Sequence, residues 1–210
     1  MDTANDFRIL MAEKGVLELN RLASSLKIPK KQLGLLSTLN SEIQAIKYSY
    51  LSPQELMELE SLRKLVDVSK DIRSTLKIEN YTTKLASYWL EYLEYLPKLL
   101  SRGEIQKAYE AVRYFSCKIL SRQKLGSLFL CIVEGDKRLE VVTNSEDLAK
   151  RQSIVVSYLP PRKFGEFVSD GMFVDASLKK IGELDFEEIR SIKSKLTEVE
   201  TVLINIVRSR

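Results

Sequence analysis

The feature that most constrains this chain is a change of hydrophobic period near Phe115. Before it, apolar residues recur three and four positions apart, as on one face of a helix. After it they fall into short runs of branched and aromatic residues, as in strands. A helix repeats every 3.6 residues and a strand every two, so one element type cannot serve both halves. The pattern predicts a helical part followed by a sheet part, and 210 residues leave room for one large or two small domains.

Upstream, Val16, Leu17, Leu19, Leu22 and Leu26 fall at helical spacing until Pro29 stops the segment, and a second helix is expected from about Lys30 to Ala45. Ser52-Pro53-Gln54-Glu55 is a helix start. The serine hydroxyl can accept from the Glu55 amide, proline suits the first helical position, and Glu55 can reach back to the serine N–H. That helix is expected to run through Leu56, Leu59, Leu62 and Leu65 towards Ile72. Tyr81, Leu85, Tyr88, Trp89, Tyr92 and Leu96 then share a face. Such a stripe could stack bases, but its spacing better suits rings buried between helices. Pro97 and Gly103 punctuate its end, and one more helix is expected from Glu104 to Tyr114.

Downstream, strands are expected over residues 117–120, 128–133, 139–143, 154–158 and 167–175, the last interrupted by Gly171. Residues 134–137 read as a turn and 145–150 as one helical turn, and Pro160-Pro161 as an extended break. Five strands in about 60 residues predict a small antiparallel barrel rather than βαβ units. Phe186, Ile189, Ile192, Leu196, Val199, Leu203 and Ile206 trace one amphipathic helix. The expected fold is α+β: an all-α domain over residues 1–112, a barrel over 113–178, and a helix over 179–210 that covers the barrel, the bundle or a second copy of the protein.

Composition narrows the chemistry. There is no histidine, which removes the commonest general base, the commonest metal ligand and any histidine triad. Two cysteines cannot hold a structural zinc by themselves. Cys117 and Cys131 read as small core residues in a reducing compartment, or as a disulfide if their strands pair. Glu134, Asp136 and Glu140 cluster in sequence, but strand alternation and a turn splay them. No phosphate-cradling Gly-rich loop and no nucleophile signature occurs. The expectation is therefore no catalytic residue, no metal and no cofactor: not an enzyme. The apolar runs are short and broken by charges, and the start lacks a secretory pattern, which points to a cytoplasmic protein with no membrane partner. Residues 1–110 hold 16 Lys/Arg against 15 Asp/Glu, residues 111–165 hold 10 against 5, and residues 166–210 hold 7 against 9. The positive excess sits in the strand region and raises the expectation of an anionic partner.

Within that region the order is Val141-Val142-Thr143-Asn144, Ser153-Ile154-Val155-Val156, Pro160-Pro161-Arg162-Lys163-Phe164-Gly165 and Val168-Ser169-Asp170-Gly171-Met172-Phe173. This set resembles the tRNA-binding OB domain appended to some methionyl-, tyrosyl- and phenylalanyl-tRNA synthetases and found in endothelial monocyte-activating polypeptide. Ser169-Asp170-Gly171-Met172 stands where that family has S-[EQ]-G-M. In length and order the chain also resembles archaeal predicted RNA-binding proteins with such a C-terminal domain. The resemblance covers about residues 114–176 and implies a five-stranded OB-type barrel that binds tRNA or another structured RNA.

It also implies a set of RNA-binding residues. Arg122, Lys124, Arg162 and Lys163 would meet phosphates from loops near one end of the barrel. Asn144 and Ser169 would meet bases, 2′-hydroxyls or phosphates. Gly171 would admit a close backbone approach, and Met172 would offer a polarizable surface. A structural reading stands beside each: Asn144 as a cap, Ser169 and Gly171 as parts of a bulge, Met172 as core. The alternative function is a protein-interaction adaptor associated with an aminoacyl-tRNA synthetase or another RNA-handling complex. The terminal apolar stripe could also support a homodimer.

Overall fold

Among residues 1–209, which the computed structural model describes, six α-helices lie upstream of Leu100: α1 (Phe7–Leu22), α2 (Lys30–Gly34), α3 (Leu36–Lys47), α4 (Pro53–Glu58), α5 (Glu60–Thr75) and α6 (Tyr81–Leu100). The chain divides into two units, Met1–Ala111 with the chain from Ile204 onward, and Val112–Leu203.

In the helical unit α1 packs on α3 and α6, and α5 on α3 and α6. The aromatic stripe is core: Tyr88, Trp89 and Tyr92 of α6 are buried, with Trp89 edge-on to Tyr88 at 5.1 Å between ring centres. Gly15 of α1 faces the indole so closely that a Cβ there would lie 2.7 Å from it. The Ser52 start forms as the residues dictate. The Ser52 backbone N–H donates to the Glu55 carboxylate at 2.8 Å, and the Glu55 N–H donates to the Ser52 hydroxyl at 3.3 Å. The helix it begins stops at Glu58, and α5 restarts after an extended Leu59.

Arg8 was invisible to hydrophobic patterning and is fully buried. Its guanidinium donates to the Asp6 carboxylate at 2.9 and 2.7 Å and to the carbonyls of Leu99 and Gly103 at 2.9 and 2.7 Å. It thus ties α1 to the end of α6, where the Leu99 carbonyl also accepts from the Arg102 N–H at 3.2 Å. Removing one partner of such a buried pair costs about 3–5 kcal/mol.

The helix expected over 104–114 does not form. The Glu110 carboxylate accepts from the backbone N–H groups of Gln106 and Lys107 at 2.8 and 3.0 Å, a local alternative to helical bonding. Only a short 3-10 turn, Ala108–Ala111, precedes the first strand.

The second unit contains β1 (Arg113–Leu125), β2 (Leu128–Glu134), β3 (Arg138–Thr143), α7 (Glu146–Ala149), β4 (Ser153–Phe164), β5 (Phe167–Val174) and β6 (Gly182–Glu183). The ladder order is β3-β2-β1-β4-β5, with β6 added on β1. The first half of β1 pairs with β4 and the second half with β2. The change of partner is accompanied by a bulge at Leu120, whose side chain turns out to solvent. Pro160-Pro161 does not end its strand as expected. β4 continues to Phe164, and the prolines sit in a bulge between the Tyr158–Gly171 and Arg162–Ser169 pairs, where their missing N–H groups cost no ladder bond.

Phe115, Cys117, Cys131, Val133, Leu139, Val141, Ile154, Val156 and Phe173 form the core, joined by Ala149 of α7. The two cysteines are free, so the core reading holds and the disulfide does not. Cys117 precedes the β1–β2 pairing while Cys131 faces Arg122, so they are not cross-strand partners.

The expected α+β architecture is present, with the sheet open rather than closed: no backbone ladder joins β3 to β5 among the described residues. The single terminal helix is also revised. The chain forms α8 (Phe186–Ser191), a 3-10 turn at Lys193–Lys195, and α9 (Thr197–Arg208). Of the apolar stripe, Ile189, Ile192, Leu196, Val199 and Leu203 are buried, while Phe186 and Ile206 are half-buried. No helix among the described residues is long and apolar enough to cross a membrane.

Candidate nucleic-acid interface

Two hairpin tips carry the cations singled out by the sequence. Arg122 and Lys124 lie on the β1 arm of the β1–β2 hairpin, opposite Cys131 and Phe129. Residues directly opposite in a ladder share a face, so these cations continue the row that upstream is core. Lys124 Nζ stands 5.8 Å from the centre of the half-buried Phe129 ring. Arg162 and Lys163 lie on the β4 arm of the β4–β5 hairpin, opposite Ser169 and Val168, and the Arg162 guanidinium lies 5.5 Å from the Phe164 ring centre. Lys137 stands 4.6 Å over Tyr158. All four singled-out cations are exposed.

The sequence reading put these four residues near one end. The antiparallel register of β1 with β4, from Arg113–Tyr158 to Lys118–Ser153, sends the two tips away from that ladder in opposite directions. They are two separate pairs. Among the described residues none of Arg122, Lys124 and Arg162 has a carboxylate within ion-pair distance. Glu146, at the start of α7, feels the charges of two of these cations. Its carboxyl is held below the usual range first by its bond to Lys150, 2.6 Å away, and then by the charges of Lys124 and Arg122.

The remaining candidates divide between surface and seam. Asn144 is exposed after β3, but the cap of α7 is its neighbour Ser145, whose hydroxyl accepts from the Leu148 N–H at 3.3 Å. Ser169 is buried, and both uses of its hydroxyl are taken: it accepts from the Val142 N–H at 3.0 Å and donates to the Gly171 carbonyl at 2.8 Å. The Asp170 carboxylate accepts from the Glu140 N–H at 3.0 Å. Side chains of β5 thus fasten backbone amides of β3 where a ladder is missing. Gly171 does permit a close backbone approach, but from its own chain: a Cβ there would lie 2.1 Å from the Ser157 carbonyl oxygen. Met172 is half-buried opposite Ser157, whose hydroxyl donates to the Met172 carbonyl at 3.0 Å.

The rings of Phe129, Phe164 and Tyr158 were not selected from sequence. Cross-strand register brings Phe129 to Lys124 and the fold brings Tyr158 to Lys137, whereas Phe164 lies two residues from Arg162 on β4 and shares its face by strand alternation. No group of three or more Cys, Asp or Glu residues among the described residues could hold a metal ion. Burial raises the thiol of Cys117 to about 12, with a further push from Asp136, and raises that of Cys131 as well, so neither resembles an activated nucleophile.

Residues 1–103 match a family model described as an alpha helical domain. No curated protein matches the chain.

Proposed function

We propose that the protein binds tRNA or another structured RNA through its sheet unit, as an RNA-binding protein and not an enzyme. The observation that carries this reading is the placing of uncompensated cations beside half-buried aromatic rings on two hairpin tips. Phosphates are met by fixed cations, and unstacked bases by rings or guanidinium planes. Support comes from the strand order and from the short helix between β3 and β4 that fills one part of the core. A partly open five-stranded Greek-key barrel of OB type presents oligonucleotides with such a face. In this reading Arg122, Lys124, Arg162 and Lys163 meet phosphates and Asn144 and Met172 lie at the margin. Ser169 and Gly171 contribute by holding the seam and the β4–β5 pair.

Electrophoretic titration with total tRNA tests the reading: a complex is expected at low salt, and its absence there ends it. Replacing Arg162 and Lys163 with alanine is expected to lower the slope of log affinity against log salt by about 1–2.

A second reading is an adaptor that docks on an aminoacyl-tRNA synthetase or another RNA-handling complex. It draws on the nearly neutral helical part and on Tyr48 and Tyr50, which stay exposed there. A stoichiometric protein partner that survives nuclease treatment during purification would favour it.

A further inference from the structure

The helical unit carries a charged feature that the sheet-based reading does not use. Between Glu18 and Glu42 the chain has no acidic residue, while it holds Arg21, Lys27, Lys30 and Lys31. Arg21 is committed to Glu18 at 2.6 Å. The three lysines are exposed, on the extended entry to α2 and on its first turn. The first and last stand four positions apart in the chain, so their Cα atoms lie within about 14 Å. α2 packs on α3 and α5, and among the described residues no carboxylate of either helix lies within ion-pair distance of these lysines. Glu60 of α5 is taken by Lys64 of its own helix at 2.7 Å.

We propose that Lys27, Lys30 and Lys31 form a second contact for the phosphate backbone of the same RNA, on the helical unit. The proposal rests on the RNA-binding reading above, and adds a site to it. A nucleic-acid duplex carries one charge per about 1.7 Å of axis, so a cluster of this span faces several phosphates at once. The apolar neighbours argue against an anionic membrane as the ligand. Leu26 and Ile28, which alternate with Lys27, are turned inward at 5% and 8% exposure. Insertion into lipid needs exposed apolar side chains, and here those beside the lysines are buried in the protein, which leaves charge alone to hold a membrane.

The test is the salt dependence of tRNA binding by the full chain and two triple variants. Lys27→Ala/Lys30→Ala/Lys31→Ala is expected to keep the melting temperature while the slope of log affinity against log salt falls by about 2–3. The Lys→Arg triple variant is expected to restore the slope. A complex whose slope is unchanged in the alanine variant overturns the second contact and leaves the sheet reading intact. No complex with the unaltered protein overturns both. Sedimentation with phosphatidylcholine–phosphatidylserine vesicles that the alanine variant loses, together with an unchanged RNA slope, would reassign the lysines to a membrane and overturn the proposal.

Discussion

Three glycines separate the reasons for which a side chain can be forbidden or allowed. At Gly171 a methyl group meets the carbonyl oxygen of the facing strand, which cannot yield without breaking the β4–β5 pairing. At Gly15 it meets the Trp89 ring, which is packed but is a side chain. At Gly34 it meets nothing within 4 Å. Gly171→Ala is therefore expected to be the most damaging, Gly15→Ala to cost about 1–3 kcal/mol by overpacking, and Gly34→Ala to stabilise by about 0.5–1 kcal/mol through a stiffer unfolded chain and better helix propensity. Urea denaturation of the three variants checks the order. The cysteines give a chemical test of the same core. With both thiols buried and raised above their ordinary range, a thiol-specific disulfide reagent at pH 7 is expected to label neither until the protein is unfolded. Rapid labelling of the native protein would contradict the packing described for β1 and β2.

At the scale of elements, local chemistry sets where helices start and side chains complete what the ladder leaves open. Glu55 is held below the usual carboxylate range first by the Ser52 backbone N–H and then by the Ser52 hydroxyl. Its folded value lies below its unfolded one. The support it gives to α4 is therefore complete above the unfolded value and is lost as pH falls through the folded one. Titration by NMR is expected to show the Glu55 midpoint below that of a free glutamate, and in Ser52→Ala that midpoint moves back up. The same substitution is expected to cost about 1 kcal/mol of stability. At the β3–β5 seam, Ser169→Ala leaves the buried Val142 N–H without its acceptor, a loss of about 1–3 kcal/mol. Hydrogen exchange at Val142 is expected to accelerate in that variant, and unchanged protection would mean that the hydroxyl is not what holds the edge. Element ends were the least legible part of the sequence. The spacing from Ile189 to Leu203 runs evenly through the break between α8 and α9, since either side of a turn can present the same period. The one local sign of a new start there is Thr197 followed by Glu200.

For the whole molecule, a helical unit and an open antiparallel sheet follow one another in one chain, and the proposed RNA contacts fall on both. Independent contacts add in the salt dependence, so the five-fold variant without Lys27, Lys30, Lys31, Arg162 and Lys163 is expected to lose a slope equal to the sum of the two losses. A smaller combined loss in a nitrocellulose filter titration would show that the two groups of cations serve one phosphate set. Much of this organisation was legible beforehand. The switch of period near Phe115, the buried stripe on α6, the Ser52 cap and the small barrel-like run of strands all depend on neighbours in sequence, and hydrophobic spacing and hydrogen-bond capacity are written there. What only the tertiary structure decided depends on residues far apart. Arg8 is tolerated in the core because its donors find acceptors in the Asp6 carboxylate and in carbonyls 91 and 95 residues away. Gly171 is required because a particular carbonyl crosses it. Ser169 and Asp170, which resemble part of an RNA motif, are spent on backbone amides 27 and 30 residues upstream. Period and propensity are properties of a segment, whereas the satisfaction of a buried polar group is a property of a place, and places exist only once the chain has folded.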